Sequence, residues 1–329
     1  MNAKLLDDTW QKQASGLPGD LLSALSSNLD TGALSLTPAH VTSLNDYIVY
    51  ARRLPGSPRE LSTWLGVGSN LIGVLLSNAS FAVNPELNSS ALTTFFRQVK
   101  GNATSWEVLF GKNLQLANHL FTVAGNISRS GAVILDVCAQ TKALGKRREA
   151  WDALQAGEWV SLSQADREIL SSLPNQMSAL KEQLKGYTRQ VERVHLEGTR
   201  FRDETRMQVI PAASRKLQEV GRYIKPVNRD ISSNTLRLVG MQNRFLELSD
   251  RLQALEKLLR AVLTAASHVH SSWQSLTAYI DASSHQLQLI TSGQQLARFA
   301  IYFGRFLGLW KTIEQRALQM SRTLSGYQL

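Results

Sequence analysis

Residues 227 to 280 carry an unbroken apolar repeat. Read in alternating steps of four and three, the positions are Val227, Ile231, Asn234, Leu238, Met241, Phe245, Leu248, Leu252, Leu255, Leu259, Val262, Ala266, Val269, Trp273, Leu276 and Ile280. Only Asn234 is plainly polar. A 3.5-residue repeat held this long predicts one straight helix whose continuous seam faces partner helices. The 54 residues between Pro226 and Asp281 would span roughly 80 Å at about 1.5 Å per residue. An average globular helix has about 11–12 residues. The chain is therefore expected to be all-α, an elongated bundle of very long antiparallel helices.

A second rod has the same character. Its seam is Leu92, Phe96, Val99, Ala103, Trp106, Phe110, Asn113, Ala117, Leu120, Ala124, Ile127, Gly131, Ile134 and Cys138, widened by Leu109, Leu116, Val123 and Leu135. Asn88 is placed to cap it and Gly145 to end it. From Leu173 the heptad returns as far as Phe201, and Thr205 and Gln208 continue it poorly. Pro211 should kink that helix or reset its face, and Pro226 should break it. A final helix repeats Leu296, Phe299, Phe303, Phe306, Trp310, Ile313, Ala317, Met320 and Leu324, after a loop or short helix expected to begin at Ala282. Upstream, Thr37-Pro38 and Ser57-Pro58 read as helix starts, with Glu60 completing a capping box on Ser57. Residues 20 to 29 suggest a further short helix.

Two stretches differ from the rods. From Leu61 to Pro85 there is no charged residue, and the 20 residues Trp64 to Val83 would just span a bilayer. Gly66, Gly68, Gly73 and several Ser and Asn dilute that run. A helix buried on most faces, a transmembrane helix and a segment switching between the two all fit it. Residues 146 to 172 instead combine Lys146-Arg147-Arg148, Trp151 and Trp159 with Gly157, and Ser163-x-x-Asp166 marks a helix start. Two short helices around a turn are predicted. A basic, Trp-bearing amphipathic element suits a membrane interface. An ordinary helical hairpin with two packed tryptophans suits the same residues.

The balance of charge is basic: 36 Lys+Arg against 26 Asp+Glu, a formal +10. Lys181 to Arg260 alone hold 17 basic and 10 acidic residues. Such a surface favours acidic partners, whether anionic lipid, nucleic acid or protein. The cations are spread along the helices without a zinc finger or recognition-helix cluster, which argues against nucleic acid. No phosphate loop, nucleophile elbow or His-x-x-x-His spacing is present, so neither an enzyme nor a cofactor or metal is expected. Cys138 is the sole cysteine, so there is no disulfide framework. Met1 to Gln13 lacks the apolar core of a secretory signal, so export would take another route.

The rods at 88–145 and 227–280, the turn Tyr223-Ile224-Lys225-Pro226-Val227-Asn228 and the late Trp310-Lys311-Thr312-Ile313 helix together resemble the alpha-xenorhabdolysin family. These are two-component α-helical pore-forming toxins, and the likeness is to the smaller B component. The resemblance implies tail helices at 1–87, a rod at 88–145, a small helical head at 146–225, a rod at 227–280 and a C-terminal tail helix at 281–329. The rods would form a coiled-coil neck, and the outer helices a tail bundle. It further implies secretion without a classical signal peptide, a larger A-type partner in a hetero-oligomeric ring, and a target-cell lipid membrane. Membrane contact would fall on Trp151, Leu154, Trp159, Leu162, Ile169 and Leu170, hidden until the head opens, and on Lys146, Arg147 and Arg148. Gly145, Gly157, Pro211 and Pro226 would be hinges. The middle is strongly charged and lacks a long apolar insertion segment, a departure that suits an amphipathic pore-lining helix. An elongated scaffold or membrane-surface adaptor without pore activity is the competing class.

Overall fold

The computed structural model describes residues 38–64, 84–224 and 233–326. The proposed helix at 20–29, the apolar run at 65–83 and Pro226 lie outside them. In order, the helices are α1 (Pro38–Arg52), α2 (Pro58–Trp64), α3 (Ser89–Gln140), α4 (Trp151–Gln155), α5 (Gln164–Leu170), α6 (Leu173–Glu204), α7 (Ile210–Ile224), α8 (Ser233–Gln288) and α9 (Gly293–Ser325). A π-turn at Thr205–Val209 joins α6 to α7. No strand is present among the described residues, apart from one isolated bridge. The two rods are helices of 52 and 56 residues.

Local signals explain the helix starts. The Asn88 side chain accepts from Ala91 N–H at 2.8 Å, capping α3. At α2, Ser57 accepts from Glu60 N–H at 3.3 Å, but the Glu60 carboxylate does not complete the expected box. It takes the N–H of Gly56 instead, at 2.7 Å. Ser292 and Gln295 repeat that arrangement at α9, with Gln295 Oε1 accepting from Thr291 N–H at 2.8 Å. In both cases the longer side chain satisfies a donor one residue further out than a capping box would.

The seams are the core. Every α3 seam position from Leu92 to Cys138 is buried. So are Met241, Phe245, Leu248, Leu252, Leu255, Leu259, Val262, Ala266, Trp273, Leu276 and Ile280 of α8. The helix does not give way to a loop after Ile280. Ser283 and Leu287 carry the same repeat inward for another turn and a half, and α8 ends at Gln288. Ser283 is polar, which is why the repeat looked finished.

Two compact units divide the chain. One contains Pro38–Gly111 and Leu196–Leu263. Its centre is aromatic: Phe96 stacks on Phe245 with ring centroids 6.0 Å apart, and Trp64 meets both edge-on. There α3 and α6 run antiparallel, with Trp106 beside Phe201 and Asn102 beside Thr205. Asn102 is fully buried and hydrogen-bonded at both its amide oxygen and its amide nitrogen. Tyr47 Oη donates to its Oδ1 at 2.8 Å, and its Nδ2 donates to Thr205 Oγ1 at 3.0 Å. The Thr205 hydroxyl passes its own proton to Phe201 O.

That threonine opens the π-turn. Ile210 N–H reaches back five residues to Thr205 O, so the turn is one residue wider than α. Pro211 cannot donate, and its ring would press on the carbonyl four residues earlier in an α-helix. The wide turn also resets the face: Gln208, next in the heptad, is exposed, while Val209 and Ala213 are buried.

The other unit contains Lys112–His195 and Thr264–Gln328. Tyr187, Trp273 and Trp310 form one aromatic run, with centroids 4.6 and 5.8 Å apart. Phe306 continues it to Tyr279. Gly131 of α3 lies directly under the Leu307 side chain of α9, and any Cβ there would collide with it. This unit carries residues 141–172.

Candidate membrane-contact site

The site begins where α3 stops. Gly145 adopts φ 73°, a left-handed conformation suited to glycine. Its N–H bonds Thr141 O at 3.0 Å, closing the last turn. Its carbonyl then accepts from the Trp151 indole N–H at 3.1 Å. Arg148 lies over the same indole at 5.7 Å and pairs with Asp136 of α3 at 3.0 Å. Trp151 is therefore a buried anchor, only 3% exposed, that fastens α4 to the end of α3.

The segment after α4 is bolted to the α8–α9 turn by backbone. Gly293 N–H donates to Val160 O at 2.8 Å, Leu162 N–H donates to Thr291 O at 2.9 Å, and Ser161 and Ser292 form an antiparallel bridge. Gln294 Oε1 takes the Val160 N–H at 3.0 Å. Nothing in the heptads points to residues 291–294 as partners of this loop, and sequence reasoning missed them. The only signal was the Ser292/Gln295 helix start.

Asp166 closes the assembly. Ser163 caps α5 at the expected helix start, and Asp166 completes a capping box with it. The same carboxylate accepts Lys142 N–H at 2.6 Å, so it ties the start of α5 to the end of α3. Burial alone would raise the Asp166 pKa. The Ser163 hydroxyl and the N–H groups of Lys142, Ser163 and Ala143 outweigh burial and hold it below the ordinary carboxylate value.

The nine candidate contact residues thus divide. Trp151 and Leu162 are buried, and Leu154, Ile169 and Leu170 are half-buried. Lys146, Arg147, Arg148 and Trp159 are exposed. The expectation that both tryptophans are hidden in this state fails for Trp159. It is 63% exposed beside the half-exposed Val160, because the backbone bonds of 160–162 and the buried Leu162 hold the loop without the Trp159 side chain. Among the hinge candidates, Gly145 has the unusual backbone, Gly157 has no positive φ, and Pro211 follows the π-turn. Among the described residues no helix is long and apolar enough to cross a membrane. No group of three or more His, Cys, Asp or Glu among them is placed to hold a metal ion.

No family model matches the chain, and no curated protein does. Solved structures do. XaxA from Xenorhabdus nematophila is 14% identical, covers 90% of this chain and 98% of its own, and superposes with a TM-score of 0.37. YaxA from Yersinia enterocolitica is 15% identical over 87% of this chain and 96% of its own, with a TM-score of 0.42. The chain is similar to XaxA and YaxA. The XaxAB pore complex from Xenorhabdus nematophila is 14% identical over 86% of this chain and 96% of its own, at a TM-score of 0.33.

Proposed function

We infer that this chain is one component of a two-component α-helical pore-forming toxin, and that residues 146–172 make its membrane contact. The observation that carries the reading is the exposed Trp159–Val160 pair in the same short crossover as exposed Lys146, Arg147 and Arg148. An aromatic side chain with one polar atom, set among cations, matches the chemistry of an anionic lipid interface. Trp151, Leu154, Leu162, Ile169 and Leu170 then form the reserve. They enter lipid when the Val160–Gly293 and Asp166–Lys142 bonds release, with Gly145 and Gly157 as pivots. A larger A-type partner in a hetero-oligomeric ring would replace the area lost from the bundle, as the names XaxAB and YaxAB pore complex suggest for those proteins.

Dye release from anionic and neutral vesicles tests this, with the chain alone and with a co-encoded larger helical protein. Leakage that needs both chains is the expected result. The packed Trp151 favours a second reading, a scaffold or membrane-surface adaptor whose crossover is an ordinary hairpin. Vesicle binding without leakage under either condition would establish that reading in place of the first.

A further inference from the structure

We propose that the outward face of α9 is a docking surface for an acidic helix of a partner protein. The inference does not depend on the membrane reading. The inner face of α9 is spent on the core through Leu296, Phe299, Phe303, Phe306, Trp310 and Ile313. Its outer face shows Arg305, Gly308, Lys311, Arg316 and Arg322, all exposed. The only carboxylate of the helix, Glu314, is turned away toward α3, where it lies against Gly125.

The cations of this face are gathered on one helix and pair with no acid among the described residues. Several basic residues elsewhere are neutralised locally: Arg251 by Glu247, Arg260 by Glu256, Arg222 by Glu219 and Lys181 by Asp281. Among the described residues, no carboxylate pairs with Arg305, Lys311, Arg316 or Arg322. Arg305 rests instead over the Tyr302 ring at 5.3 Å.

Gly308 sits between Arg305 and Lys311, one turn from each. A glycine inside an exposed helix weakens it, and here nothing lies within 4 Å of where a Cβ would stand. The packing of this unit gives no reason for its absence. A notch flanked by cations lets another helix come close while its acids reach both sides.

The chemistry selects among occupants. A second copy would bring a chain of net charge +10 and the same basic face, so like charges would meet. A lipid surface would engage the cations but has nothing to seat in the notch at Gly308, and the large apolar side chains of the α9 core positions point into the bundle. An acidic protein helix satisfies both the cations and the notch.

The test uses the full chain and a synthetic helical peptide of Ala and Glu, with alanines along the face that meets Gly308 and glutamates flanking it. Fluorescence anisotropy should show binding to the wild type and to Gly308→Ala. Binding should weaken by about tenfold or more for Gly308→Trp and for the Arg305→Glu/Lys311→Glu pair. Circular dichroism should show all variants equally helical. Absence of peptide binding to the wild type, or equal binding by Gly308→Trp, would overturn the proposal. Anionic vesicles bound through Arg305 and Lys311 while the peptide is ignored would reassign the face to lipid. A dimer in sedimentation that Gly308→Trp dissolves would reassign it to a second copy.

Discussion

Trp151 and Trp159 are eight residues apart and chemically identical, yet they do opposite work. The indole of Trp151 is buried and hydrogen-bonded to Gly145 O; that of Trp159 is mostly in solvent. Trp151→Ser should lower stability by about 3–5 kcal/mol, the usual range for emptying a large buried site. Trp159→Ser should change stability by no more than about 0.5 kcal/mol and should abolish leakage. Urea melts and dye release, run on both variants, check the pair, and undiminished leakage by Trp159→Ser would remove that residue from the membrane contact. The sequence holds both tryptophans in one basic, amphipathic stretch but cannot say which side chain the backbone turns inward. That depends on residues 291–294, more than a hundred positions away. Asp166 belongs to this scale too. Its folded pKa lies below the unfolded value of about 3.9. Its contribution is therefore complete above that value and is lost as pH falls through the lower, folded one. Thermal melts should show Asp166→Asn less stable than wild type at neutral pH, with the gap closing only in strong acid.

At the scale of elements, heptads and caps were the legible part. Asn88 and the Ser163/Asp166 pair stand where their side chains suggested, and the described α3 and α8 seams are buried without exception. Two features were illegible for a shared reason. A polar residue on a core face reads as the end of a seam. Ser283 hid the last turns of α8, and Thr205 hid the π-turn, although both are fully buried. Thr205 is retained in the core because Asn102 and Phe201 O satisfy it. Thr205→Val keeps the shape but leaves the Asn102 amide without its acceptor. We expect a loss of about 1–3 kcal/mol, the cost of one stranded buried donor, measured by chemical denaturation. A Tyr47→Phe/Thr205→Val double mutant should lose less than the sum of the two single changes, since Asn102 links them.

At the scale of the whole chain, periodicity predicts long helices but not the division into units. Its limits at 111/112, 195/196 and 263/264 fall inside α3, α6 and α8, where one apolar seam looks like another. Net charge is the property of the whole that the sequence states outright. With +10, binding to anionic vesicles should weaken by about tenfold or more between low and high salt, as screening shortens to about 3 Å near 1 M. Titrating vesicles at both salts measures this, and salt-independent binding would assign the interaction to apolar insertion alone. The lone cysteine has a practical consequence. Cys138 is buried, with its thiol pushed up to about 12 by desolvation, so it is a poor nucleophile. Ser161 and Ser292 face each other across their bridge, about 4.5–5.5 Å between Cα atoms for such pairs, within reach of a disulfide. A Ser161→Cys/Ser292→Cys chain would thus carry a redox lock with no competing thiol. Oxidised, its crossover would stay stapled to the α8–α9 turn; a reductant added to an assembled reaction would start the clock on everything that follows its release.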